Sequence, residues 1–200
     1  MKTLAVLDVS QLSPYTNWTR APLWWGFLGL VIIETAVFSS FIAAYLYLMA
    51  GSDTWPPAPH SPPDLLLPTL NTILLISSSF VVHWGDKGIR FGDQRKLQIA
   101  MLVAIVMGIA FLGIKYLEYH DSAYWWDSHA YGSIIWVMIG FHSAHVAAVV
   151  LKAVIVDVLA FRGYFNKYRR LGAEVNGVYW HFVVVIWIPL YITIYLVPRL

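Results

Sequence analysis

Two short stretches place imidazole inside long apolar runs that would otherwise hold only hydrocarbon. They are Gly140-Phe141-His142-Ser143-Ala144-His145-Val146 and Tyr179-Trp180-His181-Phe182. A third stretch, Val31-Ile32-Ile33-Glu34-Thr35-Ala36-Val37-Phe38, carries a lone carboxylate about ten residues into an apolar run. An ionisable side chain at membrane depth is costly and marks a functional site by default. The chemistries open to these groups are metal ligation, proton relay and buried hydrogen bonding.

His142 and His145 are three residues apart and share a helix face, and Val149 and Lys152 continue the stripe. Glu118 ends the preceding apolar run and is placed to approach the outer half of this one. Two imidazoles and a carboxylate suit a metal in the abstract. Membrane di-iron oxygenases, however, use several histidine boxes, and the chain has seven scattered histidines. The expectation is therefore a hydrogen-bonded contact of His142 and His145 with Glu118, with no metal. His181 adjoins a stripe at helical spacing, Trp180, Val184, Trp187, Tyr191 and Tyr195, which predicts a packed interhelical face. Glu34 shares its face with Phe38, Phe41 and Tyr45. In lipid such a carboxyl is expected to carry its proton or to be hydrogen-bonded, either lining a proton, lipid or gas path or joining two helices. Lys115 with Glu118, and Lys152 with Asp157, are expected to snorkel to the headgroups.

These residues are positioned by five apolar runs, each long enough for the roughly 20 residues of a membrane-crossing helix. The predicted spans are 24–49, 65–82, 97–117, 131–159 and 177–197. None shows the alternation of a membrane barrel. The fold predicted is all-α and integral to a membrane, with a polar arm at 1–23 and one domain at 24–200. The arm has only a short apolar patch, Leu4 to Leu7, and is read as retained, not as a cleaved leader. The first connection carries Pro56, Pro57, Pro59, Pro62 and Pro63 and must be irregular. Trp125 and Trp126, in the third, suit an interfacial belt. With the N-terminus inside, ten cations lie on the inner side: Lys2 and Arg20 in the arm, four from Lys87 to Lys96, and four from Arg162 to Arg170. Only Arg199 lies outside, so the C-terminus is predicted to be external.

Composition narrows the function classes. Hydrophobic residues make up 59% and charged residues 12%, half the roughly 25% charge of a soluble domain. Cysteine is absent, which removes disulfides, thiolate metal sites and thiol catalysis. No basic run suggests nucleic acid. A phosphate-binding glycine loop, a nucleophile elbow and an inverted repeat are all missing. The reading is a non-catalytic membrane subunit.

Several motifs then occur in collinear order. Ile33-Glu34-Thr35-Ala36-Val37-Phe38 is followed by Trp55-Pro56-Pro57, Leu70-Asn71-Thr72 and Gly92-Asp93-Gln94-Arg95-Lys96. Glu118-Tyr119, Tyr131-Gly132-Ser133, His142-x-x-His145, Glu174 and Tyr179-Trp180-His181-Phe182-Val183 complete the set. From Trp24 onward the chain resembles subunit III of the haem–copper terminal oxidases, in a short five-helix bacterial form lacking the first two of seven helices. Two positions depart from the pattern: Val184 replaces a usual Asp, and Pro189 is expected to interrupt the last helix. The resemblance implies an accessory subunit beside subunits I and II, with haem and copper in those partners and none in this chain. It implies a bundle with a V-shaped cleft holding phospholipid near the oxygen and proton entry routes. Glu34 would lie by that cleft, and Arg162 and Lys167 would bind lipid. Glu118, His142 and His145 would form one polar network, and Glu174 and His181 another near the inner surface. The location implied is the bacterial inner membrane, and the donor to the complex cytochrome c or quinol.

Three other readings stay open on the residues alone. One is the equivalent subunit of a quinol oxidase or nitric oxide reductase. Another is a self-contained membrane enzyme with a His142/His145/Glu118 metal site. The third is a proton-coupled transporter using Glu34.

Overall fold

The structure, a computed structural model, describes residues 22–122 and 124–200. The predicted arm lies outside the described residues except for its last two, which open the first helix. Five long helices form: α1 (Pro22–Ala50), α2 (Leu66–Arg90), α3 (Gln94–His120), α4 (Ala130–Phe161) and α5 (Leu171–Tyr191). All five are long and apolar enough to cross a membrane, and no strand occurs among the described residues. Helices are the natural solution, because lipid offers no partner to a free N–H or C=O and each helix satisfies its own.

The helices outrun the predicted spans. α2 continues to Arg90 and α5 begins at Leu171. Hydropathy registers the stretch that is apolar, whereas backbone hydrogen bonding carries the helix on into polar sequence. The α2–α3 turn shows how such a helix stops. Gly92 adopts φ 85°, a left-handed conformation that favours glycine. Asp93 then caps α3, its carboxylate accepting from the Lys96 amide at 3.2 Å. That backbone hydrogen bond, followed by the Lys96 side chain, holds the Asp93 carboxyl below its ordinary value. At the N-terminal end of α4, His129 plays the same role, Nδ1 accepting from the Gly132 amide at 2.8 Å.

Pro189 lies inside α5 without breaking it, contrary to the expected interruption. The Pro189 carbonyl accepts from Thr193 Oγ1 at 2.8 Å. The chain then widens into a π-helical stretch, Ile192–Leu196, and ends in a 3-10 turn, Val197–Arg199. The change of winding thus lies after the proline, at the end of the span.

α2, α3, α4 and α5 pack in a ring, each against the next, with α5 closing onto α2. α1 lies against α4 and α5 from outside that ring. Half of the central stretch of α5 is buried (50%), against 11% of that of α1. The only buried residues of α1 are Phe27, Phe38 and Tyr45, so most of its surface is left exposed. The Pro-rich loop folds back over one end of the bundle, where the Trp55 indole packs edge-on between Tyr45 and Tyr131, at 5.3 and 4.9 Å. Trp125 and Trp126 are exposed, as an interfacial belt requires.

Candidate functional site

The polar residues inside the bundle fall into separate clusters at different depths. The one nearest lipid gathers around Glu34. Its Oε1 accepts from the Tyr179 hydroxyl at 3.1 Å and lies 3.4 Å from His145 Nε2. Glu34 comes from α1, Tyr179 from α5 and His145 from α4, so three helices meet at one carboxylate. Lys152 completes the group, its Nζ 4.3 Å from the Tyr179 ring centre, a cation–π contact. Glu34 and His145 keep 15% and 12% of their side chains exposed, so this cluster opens onto the side of the bundle. Phe38 packs edge-on against Phe141 and His145, at 5.3 and 5.2 Å, and fixes the rotation of α1.

His142 faces the other way. It is fully buried, with Nε2 3.0 Å from the Val183 carbonyl, and its ring lies 4.6 Å from Trp187. The expected contact of His142 and His145 with Glu118 does not form. Glu118 is two residues from the end of α3, whereas His142 is twelve residues into α4 from the same side of the bundle. At 1.5 Å per residue the depths differ by roughly 15 Å. His142 and His145 also diverge, one into the core and one toward α1. No group of three metal-type ligands converges among the described residues.

Glu118 belongs to a cluster beneath the Pro-rich loop instead. Lys115 Nζ donates to Glu118 Oε2 at 2.7 Å and to the Tyr195 hydroxyl at 2.9 Å, and Tyr195 in turn donates to Glu118. Lys115 does not snorkel. It is 1% exposed, lying 4.7 Å from the Trp187 ring centre and 5.1 Å from that of Tyr195. Its length lets it run along the helix interface to a fixed anion, which replaces the headgroups as the charge partner. The cluster forms the floor of a cavity of about 350 Å³ beneath the Pro-rich loop. At the cavity rim, burial raises the Tyr124 phenol above its ordinary value.

Near the opposite end, Glu174 is 1% exposed and accepts from Arg90 at 3.0 Å and Arg170 at 3.1 Å. His181 does not join it. Seven residues on, about 10 Å along α5, it bonds Ser79 Oγ at 2.5 Å. Asp86 is buried beside this group, its Oδ2 1.9 Å from where a Cβ on Gly177 would stand. Asp157 is buried too, and Lys152 is committed to Tyr179, so neither follows the snorkelling expectation. Arg162 and Lys167 are exposed in the loop between α4 and α5.

The aromatic stripe of α5 is the packed face it was expected to be, and it carries more than packing. Tyr191 meets Thr69 at 2.6 Å, Trp187 donates to Thr72 at 2.9 Å, and Trp180 donates to Ser78 at 2.9 Å. With His181 and Ser79 these form an antiparallel ladder of hydrogen bonds between α5 and α2. Interhelical hydroxyl contacts of this kind bind helices in lipid. The signal was available as Thr69, Thr72, Ser78 and Ser79 within one apolar run, but pairing them needed the register of two helices. Tyr179, Lys152 and Tyr195 were likewise not singled out as site residues.

Comparison with known proteins matches residues 6–198 to the family described as Cytochrome c oxidase subunit III. A protein named cytochrome c oxidase subunit 3 from Thermostichus vulcanus is 37% identical over 175 residues, 87% of each chain. One of the same name from Synechocystis sp. is 36% identical over 174 residues, 86% of this chain and 74% of the relative. That of Arabidopsis thaliana is 28% identical over 187 residues, 90% of this chain and 71% of the relative.

Proposed function

The chain belongs to the cytochrome c oxidase subunit III family, and from that premise we propose that it is the accessory third subunit of a haem–copper terminal oxidase in a bacterial inner membrane. The carrying observation is a family match that runs from residue 6 to 198 and spans all five membrane-length helices. In this reading haem and copper sit in subunits I and II, and this chain supplies binding surface and charge. The N-terminus faces the cytoplasm, in keeping with the concentration of cations in the α2–α3 and α4–α5 connections.

α1 packs mainly against α4 and α5, and only Phe27, Phe38 and Tyr45 of it are buried. This favours a cleft beside it that acyl chains fill. Glu34 and His145 stand on its wall, partly exposed. Arg162 and Lys167, exposed at the cationic end, hold lipid phosphate through charge-assisted hydrogen bonds.

Mild-detergent purification of the tagged chain tests the assignment. A haem-bearing partner and oxygen reduction by reduced cytochrome c are expected. Recovery of the chain alone rejects the reading, and oxidation of quinol instead of cytochrome c transfers it to the quinol oxidases. The lipid role is checked by mass spectrometry of retained phospholipid, which falls in Arg162→Ala/Lys167→Ala. Unchanged anionic lipid removes these two residues from that role.

A further inference from the structure

The hydrogens around Glu34 can be counted from their acceptors. His145 Nδ1 lies 2.7 Å from the Phe141 carbonyl. A carbonyl oxygen only accepts, so Nδ1 carries a hydrogen. Nε2 then faces Glu34 Oε1 at 3.4 Å. Without a further proton, an imidazole lone pair would oppose a carboxylate lone pair. One proton is therefore shared across this contact. On the carboxyl it leaves two neutral groups, and on the imidazole it makes an ion pair.

Three features favour the ion pair. Oε1 also accepts the Tyr179 hydroxyl at 3.1 Å, and a carboxylate oxygen accepts better than the hydroxyl oxygen of a carboxylic acid. The other oxygen, Oε2, is buried with no hydrogen-bond partner among the described residues, so a proton placed there would lack an acceptor. The third feature is Lys152, two turns along α4 from His145, whose Nζ sits 4.3 Å from the Tyr179 ring centre. The Tyr179 phenol joins it to the carboxylate, its ring beneath the ammonium and its hydroxyl on Glu34 Oε1. The groups facing the carboxylate are His145 and Lys152 from α4 and Tyr179 from α5. His142, also on α4, is turned to Val183. One carboxylate then shares the cluster with an ammonium and an imidazolium, and opposite charges attract more strongly at low dielectric.

We propose that Lys152 is the counter-ion that holds the shared proton on His145, so that Glu34 is a carboxylate flanked by two cations. The proposal takes from the preceding reading only that this face meets lipid.

Infrared spectroscopy of the intact complex tests it through the carboxylic C=O stretch, assigned by subtracting the spectrum of Glu34→Gln. Wild type at neutral pH shows no protonated-carboxyl band from Glu34. Lys152→Met, or the milder Lys152→Gln, gains one such band per complex, and the band is lost again on adding Glu34→Gln. Lys152→Arg keeps the wild-type spectrum. A Glu34 band already present in wild type overturns the proposal without any lysine variant. A neutralised Lys152 complex lacking the band overturns it as well. Lipid loss with these spectra unchanged counts against the cleft and leaves the proton assignment standing.

Discussion

The α2–α5 seam and the face between α1 and α4 hold their polar groups in opposite ways. Along the seam, indoles, a phenol and an imidazole each meet a hydroxyl, and the two indole pairs are shut inside the ring of helices. At the α1 face, a carboxylate, an imidazole and an ammonium gather with one phenol and stay partly exposed. The seam uses neutral pairs, whose desolvation costs little once the bond is made. The α1 face uses charge, which costs far more in lipid and persists only with compensation. Neutral pairs bind helices, whereas compensated charges leave a site whose protonation can change. The contrast separates the part that holds the bundle from the part available for chemistry.

That separation can be broken most forcefully within the ring. Lys115→Met leaves Glu118 beside a buried phenol without its cation, and the expected cost is about 3 kcal/mol. Thermal inactivation of the complex should show it, with most of the loss recovered in Lys115→Met/Glu118→Gln. No recovery would mean that Lys115 acts by shape and not by charge. Gly177→Ala drives a methyl into Asp86 Oδ2 and is expected to cost about 2 kcal/mol, typical of overpacking. Asp86→Ala should restore it, and a double variant as unstable as the single would place the clash elsewhere.

Smaller effects sharpen the comparison. Trp187→Phe keeps an aromatic ring and removes one rung, the indole N–H to Thr72. A loss of about 1 kcal/mol is expected, and denaturant titration of the complex measures it. Glu34→Gln is expected to cost about as little, about 1 kcal/mol, because His145 gives up its extra proton together with the carboxylate and only Lys152 loses its counter-charge. The amide carbonyl still accepts from Tyr179, and the amide N–H can donate to His145 Nε2. Assembly should survive, as judged by co-purification. If Glu34→Gln abolishes assembly while Trp187→Phe leaves it intact, the division of roles drawn here is reversed.

Much of the fold was legible because membrane spans are local facts. Runs such as Trp24 to Met49 exceed the bilayer, and Gly92 with Asp93 announces a turn and a cap. The sites were legible only as residues. Glu34 stood out because a carboxylate is expensive in lipid, and the family pattern reinforced it. Its partners did not stand out. His145 was assigned to Glu118, at the wrong depth, and Lys115 and Lys152 were sent to the headgroups. The aromatic stripe of α5 was foreseen as a packed face, but not its hydroxyl partners on α2.

Sequence alone determined that five helices form, in what order, and which of them carry ionisable groups, since each helix closes its own backbone hydrogen bonds without help from its neighbours. Tertiary structure decided which polar group meets which. A contact needs matched depth and matched rotation of two helices at once. Both are set by packing, at Phe38 against Phe141 and at Trp187 against Phe111 and Thr72, between residues far apart in the chain. So Glu34 was visible as a charge in lipid, while its place between His145 and Tyr179 emerged only when α1 docked on α4 and α5.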